Sequence, residues 1–328
     1  TKRVILTPPQ IQSRLKSLGV PADKFLGQHF LVDEDILSVV LSAAKDLLDG
    51  SVVLEVGPGL GVLTKELVNI AAAIAVERDP VFAKALSSYL SSQTGAQQLD
   101  LGSSDWIPGQ ARNDNNGLTV IQGNILEVLD TNKYFPFKFQ SGFYSPMIEP
   151  GAMQPDGDAH ILNQKKWAVV ANIPYGITSP LIRKLLECPI LPDFMVLMVQ
   201  KEVAERICAP AGDSRRGLLT LMVQTMGNPQ IVKIVPKTAF WPQPEVASAI
   251  IRIDVAPKFD FVTREAILNL AQHAFAGKRK QIANSLSAGL HKTSSGIKKI
   301  LENCDIAPTL RAEGLTLEDW ERLVSALA

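Results

Sequence analysis

Apolar residues arrive along the chain in two alternating rhythms. Short uninterrupted runs occur in "SVVLEVG" (51–57), "AAIAVE" (72–77), "LTVIQGN" (118–124), "WAVVAN" (167–172) and "DFMVLMVQ" (193–200). Such runs suit strands covered on both faces. Between them, "DEDILSVVLSAAKDLL" (33–48), "LGVLTKELVN", "DPVFAKALSSYL" and "SPLIRKLLE" place apolar residues at helical spacing, the first behind acidic residues that favour a helix start. Strands alternating with helices predict an α/β fold built on a mostly parallel, doubly wound sheet. "QIVKIVP" and "ASAIIRIDV" add a terminal pair of β-branched strands. Beyond "APKFD" only helical patterns remain, among them "TREAILNLAQHAFA", "KRKQIANSLSAG" and "TLEDWERLVSAL". A boundary near 256–260 follows, with an α/β domain over 1–257 and a small all-helical domain over 258–328. Residues 91–117, rich in Ser, Gln, Gly, Asp and Asn, are predicted as a long exposed loop, and 130–166 shows no periodicity.

Composition narrows the class. The 328 residues suffice for a full core and a second, smaller domain, and 46% hydrophobic with 20% charged residues is ordinary for a soluble globular chain. No apolar run is long enough to span a bilayer. The opening "TKRVILTPPQIQSRLK" has no long apolar segment or small-residue cleavage site, so no secretory signal is expected. Cys188, Cys208 and Cys304 are isolated and odd in number, which fits a reducing cytoplasm and argues against a structural zinc site. Lys+Arg 33 against Asp+Glu 33 gives zero formal charge, so any grip on nucleic acid rests on local clusters. Those clusters are Arg215 with Arg216, Lys165 with Lys166, and Lys278-Arg279-Lys280. A lone basic pair more often marks a solvated surface.

Two stretches carry chemistry. In "LEVGPGLGVLTKEL", Gly57, Gly59 and Gly61 stand at a strand-to-helix turn where backbone can approach a ligand closely. A dinucleotide fingerprint would place its third glycine at 62, which is Val62, while Glu77 ends the next strand about 20 residues on, where a ribose-binding carboxylate belongs. A nucleoside cofactor without a pyrophosphate, S-adenosylmethionine, fits best. The second stretch, "VVANIPYGIT", ends a buried strand on an amide, a proline and an aromatic ring. An adenine amine is a weak nucleophile until its hydrogens are accepted as charge develops. Asn172 and the backbone carbonyl of Ile173, followed by Pro174, offer such acceptors, and Tyr175 offers a face on which an unpaired base can stack. A strand-end turn with a core tyrosine is the plainer reading of these four residues taken alone.

Seven ordered blocks carry a resemblance through nearly the whole chain: "FLGQHFLVDEDIL" (25–37), "VLEVGPGLGVLT" (53–64), "VVANIPYGITSPLIRKLL" (169–186), "MVQKEVAERI" (198–207), "TAFWPQPEVASAIIRI" (238–253), "AFAGKRKQIANSL" (274–286) and "LRAEGLTLEDWERL" (310–323). They resemble the ribosomal-RNA adenine dimethyltransferases of the KsgA type, relatives of the Erm resistance methyltransferases. The resemblance implies a Rossmann-like class I S-adenosylmethionine-dependent methyltransferase with a small all-helical carboxy-terminal domain. It also implies that His29 and Leu31 line the cofactor's methionine end, Gly57 and Gly59 cradle it, and Glu77 holds its ribose. Asn172 would serve both cofactor and target amine, and Phe240 would sandwich the target adenine with Tyr175. Lys278, Arg279 and Lys280, joined by Arg215 and Arg216, would contact RNA. Asn124 stands where the family usually has Asp against the cofactor's adenine, and Gly176 follows the tyrosine where Asn or Tyr is common. No metal is expected, His29 having no partner at ligand spacing.

The expectation is therefore a cytoplasmic, monomeric enzyme that dimethylates adenines, two adjacent ones near the 3′ end, in small-subunit 16S-type rRNA of a pre-30S particle. An Erm-like enzyme acting on 23S rRNA and a non-catalytic ribosome-assembly or transcription factor remain open as alternatives. A nicotinamide dehydrogenase is disfavoured by Val62.

Overall fold

The computed structural model describes residues 5–20, 28–47, 51–94, 97–100, 117–130, 167–277 and 279–327. Most of the two segments without assigned role, and Lys165, Lys166 and Lys278, lie outside the described residues. In chain order the elements are α1 (Pro8–Leu18), β1 (Phe30–Leu31), α2 (Glu34–Ala43), β2 (Val52–Val56), α3 (Val62–Leu67), β3 (Ala72–Glu77), α4 (Pro80–Thr94), β4 (Gln97–Asp100), β5 (Leu118–Gln122) and α5 (Ile125–Asp130). Then follow β6 (Trp167–Asn172), α6 (Thr178–Leu186), β7 (Phe194–Gln200), α7 (Lys201–Ile207), α8 (Leu218–Met226), β8 (Gly227–Val235), β9 (Phe240–Trp241) and β10 (Ser248–Val255). The chain continues in helices α9 (Phe261–Phe275), α10 (Ile282–Leu290), α11 (Ser294–Asn303) and α12 (Leu317–Leu327).

The main sheet runs β4-β5-β3-β2-β6-β7-β10-β8, and its first six strands are parallel. β2 sits between β3 and β6, so chain direction across the sheet reverses there, which is where open α/β sheets leave a crevice. The expected strands all form, within three residues of their apolar runs. The predicted loop over 91–117 does not hold at its start. α4 continues to Thr94, and Gln97–Asp100 pairs in parallel with β5. Polar "QQLD" gives no apolar signal, yet it satisfies backbone groups that β5 would otherwise leave unpaired.

Local chemistry sets the ends of the elements. Asp33 caps α2 by accepting from the N–H groups of Asp35 and Ile36 at 3.0 and 3.1 Å. α1 begins at a proline, and Gly19 ends it in the left-handed conformation at φ 68°. Its Ile11 and Leu15 bury against Phe30, Leu60 and Phe82.

Two compact units result. One comprises residues 1–200 with 232–252, the other 201–231 with 253–328. The core of the first packs Leu37 of α2 with Val53, Ala73, Val170 and Val196, which share one face of the sheet. In the second, Trp320 is fully buried among Ile267, Leu286 and Leu301, and α8 contributes Leu221. No helix among the described residues is long and apolar enough to cross a membrane.

Candidate active site

A cleft of about 1010 Å³ opens at the carboxyl ends of the parallel strands, within the first unit. Gly57 follows β2, Glu77 ends β3, Asn124 follows β5, Asn172 ends β6 and Gln200 ends β7, and all five line it. The glycine turn is forced open by its backbone. Gly57 and Gly61 sit at φ 67° and 75°, and a Cβ on Gly61 would lie 2.5 Å from Leu86 Cδ1.

Glu77 braces that turn. Its Oε2 accepts from Gly59 N–H at 3.0 Å and its Oε1 from Asp79 N–H at 2.9 Å. Burial raises its carboxyl above the usual range, against the pull of those two backbone donors. Glu55, one strand away on β2, is also in the cleft wall. It is fully buried, and loss of hydration pushes it up to about 8, offset in part by the Thr64 hydroxyl and reinforced by the charge of Glu77. Neither Glu55 Oε2 nor Thr64 Oγ1 reaches a hydrogen-bond partner at normal distance. A buried carboxylate oxygen without a partner is costly unless the group stays neutral or meets a cation.

At the end of β6, Asn172 Nδ2 donates to the backbone carbonyl of His29 at 3.3 Å. A carbonyl only accepts, so this contact fixes which way the amide faces and leaves Oδ1 to accept from a ligand. His29 is itself held: its Nδ1 donates to the Pro242 carbonyl at 2.8 Å. Its ring lies 5.8 Å from that of Tyr175, tilted by 31°. Ile173 is buried and its N–H donates to Met198 O at 3.1 Å, which ties the motif to β7. Pro174 abuts the glycine turn, 3.5 Å from where a Cβ on Gly57 would lie. Amide, ring and glycine turn thus come together in one cleft.

The structure distributes the other expected residues differently. His29, Leu31 and Gly59 line the cleft. Asn124 lines it as well, with Nδ2 on Glu127 Oε1 at 3.0 Å and Oδ1 accepting from Leu126 N–H at 3.2 Å, so it also starts α5. Its Oδ1 keeps a second lone pair for a ligand.

Phe240 is a correction. It pairs with Leu31 in the β1–β9 ladder and is 2% exposed in the core, so it presents no face to a base. Arg216 is a second correction. It is buried, with its guanidinium on the carbonyls of Leu315 and Glu313 and on Gln224 Oε1, holding the helical unit together from inside. Arg215 spends its charge on Asp213 and Glu205. Of the expected RNA contacts among the described residues, Arg215, Arg279 and Lys280 are exposed, Arg215 being paired with Asp213 and Glu205, and Lys278 lies outside the described residues.

Sequence reading missed Glu55 and Ser248. Glu55 did leave a signal, an acid inside an apolar strand directly before the glycines. Among the described residues no group of three or more His, Cys, Asp or Glu is gathered as a metal site.

A parallel sheet with its cofactor turn after β2 and a carboxylate closing β3 is the class I S-adenosylmethionine-dependent methyltransferase fold. The chain shares that fold with a dimethyladenosine transferase of Plasmodium falciparum, at 23% identity and TM-score 0.62 over 90% of this chain and 96% of that one. It shares it also with the 23S rRNA methyltransferase ErmE, at 24% identity and TM-score 0.60 over 91% and 99%. A "Ribosomal RNA small subunit methyltransferase A" from Dehalococcoides mccartyi is 35% identical over 96% of this chain and 91% of its own length. The family described as "Ribosomal RNA adenine dimethylase" matches residues 21–328, and the chain belongs to that family of S-adenosylmethionine-dependent rRNA adenine dimethyltransferases. The dehydrogenase alternative falls with that membership.

Proposed function

We propose that the enzyme places two methyl groups on the exocyclic amine of adenines in small-subunit rRNA within a pre-30S particle, with Asn172 as its central catalytic residue. The observation that carries this reading is the Asn172 amide, turned by the His29 carbonyl so that Oδ1 is left for an amine in the cleft. The large-subunit alternative receives less support, because the similar full-length relatives carry the small-subunit name.

The residues present fit S-adenosylmethionine. Glu77 at the end of β3 suits the ribose, Gly57 and Gly59 its close approach, His29 and Leu31 the methionine end, and Asn124 the adenine. Glu55, buried in the cleft wall with its Oε2 unpartnered, suits a cationic ligand in particular. The cofactor supplies an activated methyl group. Asn172 Oδ1 accepts one hydrogen of the target amine and the Ile173 carbonyl the other, which returns electron density to nitrogen as it attacks. Tyr175 supplies the stacking face. After the first transfer the methylated amine sheds one proton to solvent and keeps one N–H, and one acceptor then suffices to orient it for the second.

Unmodified 30S and 50S subunits incubated with labelled cofactor test the substrate. Label is expected in 30S rRNA as dimethyladenine, and label confined to 50S would overturn the assignment. RNA binding has its own test. With Arg215 and Arg216 committed elsewhere, Arg279 and Lys280 carry the phosphate contacts in the helical unit. Replacing both with Ala should reduce the slope of log affinity against log salt by about 1.5, since each lost phosphate contact withholds counterion release. Cofactor affinity should stay put, and an unchanged slope would locate the RNA contacts elsewhere.

A further inference from the structure

We propose that Ser248, at the start of β10, is a positioning residue for methyl transfer, its hydroxyl setting the plane of the Tyr175 ring on which the target base stacks. This rests on the stacking role given to Tyr175 above. Ser248 Oγ and Tyr175 OH lie 2.7 Å apart, linking residues 73 positions apart in the chain. Ser248 is fully buried, and the strand that follows it buries Ala249, Ile250, Ile251 and Ile253 completely. In that setting a hydroxyl is a liability unless it is bonded, and an alanine would pack as well without the cost. The Tyr175 hydroxyl is what Ser248 bonds.

Tyr175 needs such a hold. It begins the 3-10 turn Tyr175–Ile177, just after the strand has ended, so no ladder fixes its direction. Its ring is partly exposed in the cleft wall, and a tyrosine there has other rotamers open to it. The bond to Ser248 anchors the far end of the ring, and the His29 ring flanks it at 5.8 Å. With Phe240 withdrawn into the core, these two contacts replace the expected second aromatic in fixing where the base lies. Ser248 reaches neither base nor cofactor. It acts through Tyr175.

The test uses the full-length enzyme, unmodified 30S subunits and labelled S-adenosylmethionine, with cofactor affinity read by calorimetry. Ser248→Ala and Tyr175→Phe each break the same bond from opposite ends. Each is expected to lower kcat roughly fivefold to tenfold, the scale of one neutral hydrogen bond, with KM for the subunit and cofactor affinity unchanged. The double variant should be no slower than either single one, because one bond is removed once. Additive losses, or a folded Ser248→Ala enzyme at the wild-type rate, would overturn the proposal. If Ser248→Ala does not fold, Tyr175→Phe decides alone, and a wild-type rate there overturns it. Tyr175→Ala separates the two levels. A slow Tyr175→Ala beside wild-type Tyr175→Phe and Ser248→Ala leaves stacking intact and removes Ser248. A wild-type Tyr175→Ala removes the stacking role and this proposal with it.

Discussion

Asn172→Ala is expected to lower the single-turnover rate of methylation about 100- to 1,000-fold, the usual cost of losing one preorganised group aimed at developing charge. Among the described residues the side chain makes one hydrogen bond, from Nδ2 to His29 O, and it is not among the buried residues, so the fold should survive its removal. The loss should fall on the chemical step. On the proposal that phosphate contacts at Arg279 and Lys280 carry rRNA binding, KM for the particle should move little. Asn172→Asp sharpens the comparison, because a carboxylate accepts but cannot donate to the His29 carbonyl, and would be turned away from it. It should therefore be slow too, despite keeping an acceptor. Rapid-quench measurement with labelled cofactor checks both variants. A near wild-type rate for Asn172→Ala would remove the amide from the mechanism.

The sheet was legible because covered parallel strands write themselves as apolar runs, and β2, β3, β5, β6 and β7 each did so. β1 and β9 were not, since two-residue strands have no period to detect. Nor was β4, whose polar residues join the sheet through backbone alone. In the site, Glu77 and Asn172 were readable from topology: a polar residue at the carboxyl end of a buried parallel strand faces the crevice. Phe240 and Arg216 show where that logic stops. An aromatic beside a Pro-x-Pro turn and an arginine in a basic pair look the same in sequence whether they face solvent or core. Burial of Phe240 follows from its ladder with Leu31, and burial of Arg216 from carbonyls about a hundred residues away, at Glu313 and Leu315. Ser248 was hidden for the same reason, its partner being 73 residues distant.

Glu55 should make the cofactor-free enzyme lose stability as pH rises. Its carboxyl stands at about 8 in the folded protein against an ordinary 4.5, because burial removes its hydration and Thr64 compensates only in part. The folded state therefore holds a proton that the unfolded chain releases. A raised pKa contributes stability that is fully present below 4.5 and is lost as pH climbs towards 8, after which the curve flattens. A shift of that size corresponds to about 5 kcal/mol across the window. Glu77, also raised by burial, adds to the slope in the same direction. Glu55→Gln keeps the shape and cannot ionise, so its unfolding free energy should fall much less between pH 5 and pH 8, with the remaining slope due to Glu77 and other groups. Urea unfolding of both proteins across that range gives the comparison. Saturating S-adenosylmethionine should flatten the wild-type curve as well, since a cation admitted to the cleft favours the ionised carboxylate. Parallel curves for wild type and Glu55→Gln would show that Glu55 is ionised in the folded enzyme and already satisfied.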